Sequence, residues 1–130
     1  MKLIGITTET IFDGEAERIA LLLDYGLDQM HIRKPGYLSN DIATLLQQIP
    51  KKYHSRLVLH DHFDLAARYS VAGLHLNHRN PQPPTGYKGM TGRSCHSIEE
   101  VKNSTDVDYC FLSPIYDSIS KKGYTSHFSA

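Results

Sequence analysis

Arg33 and Lys34 stand side by side immediately before Pro35-Gly36. Two adjacent cations closing a short apolar run can clamp a phosphate or diphosphate, because guanidinium presents a planar fork that matches phosphate oxygens. The other reading of the pair is a solvated basic turn. Lys121-Lys122 pose the same choice within the polar stretch Ser118 to Gly123, a loop suited to closing over an anion. His60-Asp61-His62 is the densest polar cluster in the chain. Joined by His75 and His78 it reads as a zinc site, which needs three or four nitrogen or sulfur ligands. Asp61 by itself suits magnesium instead, which takes one or two carboxylates and leaves substrate phosphates to complete its shell. A third reading makes Asp61 a helix cap flanked by surface histidines. Ser94 can donate to an anion, and His96 can act as a general acid or base near neutral pH or simply precede the Ser97 cap.

These residues need elements that bring them together. Lys2 to Thr7 is a short apolar, β-branched run, as a buried strand requires. Asp13 can cap a helix through Tyr25 whose apolar face holds Ala16, Ile19, Ala20, Leu22 and Leu23, with Gly26 at the left-handed position past its end. Gln29 to Arg33 is a second strand. Ser39 opens a second helix, carrying Ile42, Leu45, Leu46 and Ile49 and stopped by Pro50. Arg56 to His60 is a third strand, Phe63 to Ser70 a short helix, and Gly73 to Leu76 a fourth strand. Asn77 to Gly89 is loop. Met90 to Ser94 is a fifth strand, Ser97-Ile98-Glu99-Glu100 a capping box for a helix to Asn103, and Asp108 to Ser113 a sixth strand.

Such alternation predicts parallel strands joined by right-handed helical crossovers. A dinucleotide-binding sheet would want a Gly-rich turn after the first strand, where Thr7-Thr8-Glu9-Thr10 supplies none. His31 and Arg33, His60 and Asp61, His75 and Asn77, Arg93, Ser94 and His96, and Ser113 all fall at successive strand ends. In a barrel those ends converge on one mouth. The expectation is therefore an α/β fold of the TIM-type (β/α)8 class, a single incomplete barrel domain over residues 1–130 with about six of its eight βα units.

The composition narrows the function classes. Lys plus Arg is 14 and Asp plus Glu is 14, so the net charge of zero gives no support to a nucleic-acid or anionic-membrane surface. Two cysteines, Cys95 and Cys110, are too few for a secreted disulfide scaffold. No leader or membrane-length apolar run is evident, and a cytoplasmic location is the expectation.

In register, the strand-end strings resemble the family of thiamine-phosphate synthase and the related TenI-type thiazole tautomerase. They are His-Ile-Arg-Lys (31–34), Leu-Val-Leu-His-Asp (57–61) with Asp64-Leu65-Ala66, Ala-Gly-Leu-His-Leu (72–76), Gly-Arg-Ser-Cys-His-Ser (92–97), and Asp-Tyr-Cys-Phe-Leu-Ser-Pro-Ile-Tyr (108–116) with Lys121. The resemblance implies a β/α-barrel enzyme of thiamine biosynthesis. It would join an aminopyrimidine methyl diphosphate to hydroxyethylthiazole phosphate, releasing diphosphate through a pyrimidine carbocation. It further implies diphosphate binding by Arg33 and Lys121, with His31, Lys34 and His60 nearby, magnesium on Asp61 and the position of Asn80, and Ser94 at the pyrophosphate or the reacting centre. Pyrimidine and thiazole phosphates would be its small-molecule partners, and a homodimer its assembly.

The departures from the synthase pattern have chemical weight. His60 stands where synthases carry Asn, Lys34-Pro35 where they carry Glu-Lys, and Asn80 where they carry a second carboxylate. Losing a carboxylate and a lysine weakens a magnesium-diphosphate site. His96, two residues past Ser94, resembles the tautomerases, where it would shuttle a proton on the thiazole phosphate without a metal. The alternatives are thus a tautomerase using His96, a non-catalytic thiamine-pathway binding or regulatory protein, and a zinc hydrolase built on His60, His62 and His75.

Overall fold

Helix α1 (Glu15–Asp24) buries Ala16, Ile19 and Leu23 on one face, and its end is set by Gly26. At φ +118° Gly26 lets its own N–H reach the Leu23 carbonyl and the Leu27 N–H reach that of Leu22, closing the last turn. Its start differs from the expected Asp13 cap. Gly14, at φ 83°, occupies the cap position, and no side chain caps the helix; the acidic Glu15 and Glu17 face its positive end instead.

The computed structural model describes residues 2–112 of the chain, and the remaining elements follow the same logic. The strands are β1 (Ile4–Ile6), β2 (Gln29–Ile32), β3 (Leu57–Leu59), β4 (Gly73–Leu76), β5 (Met90–Cys95) and β6 (Tyr109–Leu112). The other helices are α2 (Ser39–Gln48), α3 (Ala66–Tyr69) and α4 (Ile98–Asn103). In α2 the Asp41 carboxylate accepts the Leu38 N–H, securing the first turn. A 3-10 turn over Lys51–Arg56, unsignalled by periodicity, follows Pro50. Its buried His54 places Nε2 at 2.9 Å from the Leu46 carbonyl and 3.0 Å from that of Ile49, so that a side chain from the next element satisfies the end of α2.

Every strand pairing is parallel, and strand order in the sheet is chain order, β1-β2-β3-β4-β5-β6. A doubly wound sheet reverses its order at a switch point. This curled sheet never does, which makes it an arc of a TIM-type β/α-barrel.

Period-two alternation then divides the side chains. Met30 and Ile32, Leu57 and Leu59, and Leu74 and Leu76 join Ile19, Leu23, Ile42, Leu46 and Ile49 in one apolar core between sheet and helices. The intervening residues His31, Val58, His75, Gly92, Ser94, Tyr109 and Phe111 therefore lie on the opposite, inner face of the arc. That face carries the polar chemistry.

Candidate active site at the strand ends

Three histidines form a layer on the inner face. His31 and His75 are fully buried and His60 is 4% exposed. His31 Nδ1 and His60 Nε2 share a hydrogen bond of 2.7 Å, and the His60 and His75 rings stack at 4.2 Å. Phe111 stacks on His31 at 5.1 Å, and Tyr109 reaches His75 Nδ1 with its hydroxyl at 3.2 Å. Loss of hydration on burial favours neutral imidazole. It lowers His31 and His75 to about 4 and His60 to about 2, His60 being held down further by the charges of its neighbours. Burial likewise keeps the Tyr109 phenol protonated. At neutral pH this is an uncharged, hydrogen-bonded layer. It ends in Ser94, whose Oγ lies 2.7 Å from His75 Nε2.

Gly92 makes room for that arrangement. A Cβ there would sit 2.0 Å from Tyr109 Cζ, so only glycine lets the phenol ring lie flat against β5 and reach His75.

Above the layer opens a cleft of about 640 Å³, whose walls include Arg33, His60, Arg79, Arg93, Ser94 and His96. Arg33 pairs with Glu9 at 2.7 Å and is partly exposed. Arg93 holds Asp106 through two bonds, 2.6 and 2.9 Å. His96 precedes α4, where Ser97 Oγ accepts the Glu100 N–H at 3.1 Å. The Glu100 carboxylate takes the His96 N–H at 2.6 Å in return, one residue earlier than a standard capping box.

Asp61 lies at the end of β3, almost wholly buried, and both of its oxygens are engaged. Oδ1 accepts Arg79 Nε and Asn80 Nδ2, each at 2.9 Å, and Oδ2 accepts Arg79 Nη2 at 3.3 Å. The loop after β4 imposes this. The Asn77 amide donates to the His60 and His75 carbonyls, while its Oδ1 accepts the N–H groups of Arg79 and Asn80 at 3.0 and 3.1 Å. Magnesium demands oxygen ligands in near-octahedral array. Here the carboxylate faces a guanidinium, and Asn80 turns a nitrogen donor toward it. As arranged, these residues do not fit a magnesium ion.

The strand-end residues singled out in the sequence thus separate. His60, Arg33, Ser94 and His96 share the cleft, with Asp61 bonded to both Arg79 and Asn80 beside it and His31 bonded to His60. Lys34 is elsewhere. It is fully buried, and its ammonium donates to the Thr8 and Thr10 carbonyls and to Glu15 Oε2 at 2.6 to 2.8 Å, so it belongs to the β1–α1 junction. His62 Nε2 meets the Tyr37 carbonyl. The zinc set of His60, His62 and His75 is therefore replaced by His31, His60 and His75, whose ring nitrogens lie within 4.8 Å of one another. Ser113 and Lys121 lie outside the described residues. Sequence reasoning passed over Arg79. The signal available for it was Asn77 two residues before, a residue type whose side chain bonds the backbone two positions on and folds the loop back.

The comparisons with known proteins bear on the fold and the family. The sequence model of the family described as thiamine monophosphate synthase matches residues 3–128. A thiamine-phosphate synthase of Halalkalibacterium halodurans is 32% identical over 108 residues, covering 75% of this chain and 51% of that protein. One from Prochlorococcus marinus is 31% identical over 87 residues, 62% of this chain and 25% of its own length. The crystal structure of thiamine phosphate pyrophosphorylase from Bacteroides thetaiotaomicron superposes with a TM-score of 0.84 at 48% identity, covering 88% of this chain and 59% of that one. The chain thus spans about half the length of the first of these relatives and about three-fifths of the solved one. By sequence and by fold, the chain belongs to the thiamine monophosphate synthase family.

Proposed function

We propose that the chain works in thiamine biosynthesis as a thiamine-phosphate synthase, joining an aminopyrimidine methyl diphosphate to hydroxyethylthiazole phosphate with release of diphosphate. The observation that carries this is the cleft itself: Arg33, Arg79 and Arg93 line it together with Ser94 and with His60 of the neutral imidazole layer. In the reaction the bond between the pyrimidine methylene and the diphosphate oxygen breaks heterolytically. Negative charge grows on the leaving diphosphate and positive charge on the pyrimidine methylene, and the thiazole nitrogen then attacks that carbon. Fixed guanidinium groups stabilise the departing anion. The neutral layer suits the pyrimidine end, because an imidazolium there would oppose the carbocation. Ser94 Oγ, held by His75 Nε2 at 2.7 Å, would touch the pyrophosphate or the reacting centre, as the family resemblance implies. Lys121 is the further cation that the resemblance assigns. Magnesium enters this reading only if Arg79 gives way at Asp61. A cytoplasmic location and a homodimer belong to the same reading, by the family resemblance.

Incubating the purified chain with both substrates tests it. Equimolar thiamine phosphate and diphosphate, followed by mass spectrometry, are expected; no product with or without added divalent cations overturns the synthase.

Two observations support a second reading. His96 opens on the same cleft, close in sequence to Ser94, and Asp61 is committed to Arg79. Both suit a thiazole phosphate tautomerase in which His96 moves a proton. That reading expects isomerisation of the thiazole phosphate without any pyrimidine, abolished by His96→Ala. Tight binding of the substrates with neither activity would leave a binding protein.

A further inference from the structure

We propose that Arg79 takes the place of the divalent cation at Asp61, so that this cleft binds diphosphate and phosphate esters without a metal. The inference rests on the family reading for the identity of the anion, and on the structure for everything else.

A carboxylate that receives a metal keeps at least one oxygen directed at open space. Asp61 keeps none, since its three hydrogen bonds come from Arg79 and Asn80 and engage both oxygens. A cation approaching it would meet a guanidinium of like charge and the amide nitrogen of Asn80. The arrangement is held by more than the ion pair. Asn77 ties the loop to the ends of β3 and β4, and it is bonded reciprocally to Asn80 through the backbone, at 3.0 and 3.1 Å. Arg79 therefore reaches Asp61 from a loop whose conformation is set independently of that contact.

Arg79 is also not used up by the contact. A guanidinium has five N–H donors. Nε and one Nη2 hydrogen serve Asp61, leaving three for a ligand, and the side chain is 40% exposed on the cleft wall. Asp61 orients the fork, and Arg79 lines the cavity shared with Arg33 and Arg93. This geometry supplies what a metal supplies to a diphosphate, positive charge at a fixed place. It adds directional donors that match phosphate oxygens in pairs. Asp61 is in this scheme a positioning residue.

The test is calorimetric titration of the full chain with inorganic diphosphate, once in EDTA and once in excess magnesium. The affinities are expected to agree within about threefold. Arg79→Gln should weaken binding in EDTA by about tenfold or more, the loss of charged hydrogen bonds, and Arg79→Lys should recover part of it. Binding seen only with magnesium, or Arg79→Gln binding as tightly as the parent, overturns the proposal. Circular dichroism establishes that each variant is folded, and the comparison of EDTA with magnesium on the parent chain stands even if a variant is not. Two results separate this inference from the synthase reading. Metal-independent diphosphate binding without thiamine phosphate formation upholds the inference and sinks the synthase. Thiamine phosphate formed only with magnesium, together with magnesium-dependent binding, does the reverse.

Discussion

Two ion pairs at the strand ends look alike in outline and behave as opposites. Lys34 meets Glu15 at 2.6 Å with both side chains essentially shut off from water, and every ammonium proton has a protein acceptor. Arg79 meets Asp61 at 2.9 Å with the carboxylate buried and the guanidinium half open. The first pair consumes all its donors in holding the β1–α1 loop against α1. The second spends two and keeps three, on a side chain that lines a cavity. Adjacent residues can fall on either side of this division, as Arg33 on the cleft wall and Lys34 buried at the β1–α1 junction show. What separates a structural cation from one available to a ligand is the number of donors left over.

The comparison can be broken most sharply at Lys34. Lys34→Met leaves Glu15 charged, buried and unpaired, and should cost about 3–5 kcal/mol in urea unfolding. A loss under about 1 kcal/mol would mean that the pair is not buried in solution.

The histidine layer lies between the extremes, buried but uncharged, and acid should reveal it. The folded-state values of His31 and His75, about 4, lie below the unfolded value of 6.5, so the unfolded chain binds protons first as the pH drops. Stability is therefore full above about pH 6.5 and declines toward pH 4, by about 3 kcal/mol for a histidine shifted this far. Unfolding midpoints measured across that window check it. A flat profile removes the layer as described, and a slope that His31→Gln leaves unchanged removes His31 from it.

A smaller effect tests what supports the layer. Gly92→Ala drives a methyl into the Tyr109 ring and should cost about 1–3 kcal/mol. Near-ultraviolet circular dichroism should change as the tyrosine moves, and an unchanged spectrum would place Tyr109 elsewhere.

The smallest effect completes the contrast with Lys34. Arg79→Gln should cost about 1 kcal/mol, less than Lys34→Met, because Asn80 still donates to the buried Asp61 and the lost guanidinium was partly exposed. A loss as large as that of Lys34→Met would make Arg79 structural too.

The element order was legible because apolar runs and helical stripes alternate without interruption, and Gly26, Pro50 and Ser97 punctuate them where expected. The choice of a barrel over an open sheet rested on the missing Gly-rich turn after the first strand and on polar residues recurring at strand ends, and the sequential strand order agrees. What stayed hidden depends on side-chain direction. Nothing in Arg33-Lys34 says that one cation turns outward while the other reaches back to Thr8, Thr10 and Glu15 across chain distances of 19 to 26 residues. Asn80 was legible as a missing carboxylate, but not the guanidinium that accompanies it. That depends on how the Asn77 loop folds over β3. His31 read as one polar residue among several; only the register of His31 with Val58, and of β3 with β4, places it beside His60 and His75.

The Asn77 lacing has a consequence for the cell as well as for the site. A dissolved cation must shed part of its water shell and be recruited anew at every turnover, at a concentration set by its surroundings. A cation carried on the chain is ordered once, when the protein folds, and a ligand meets it already in place. A cationic pole of that kind would keep its grip on an anion through swings in the free magnesium of its compartment.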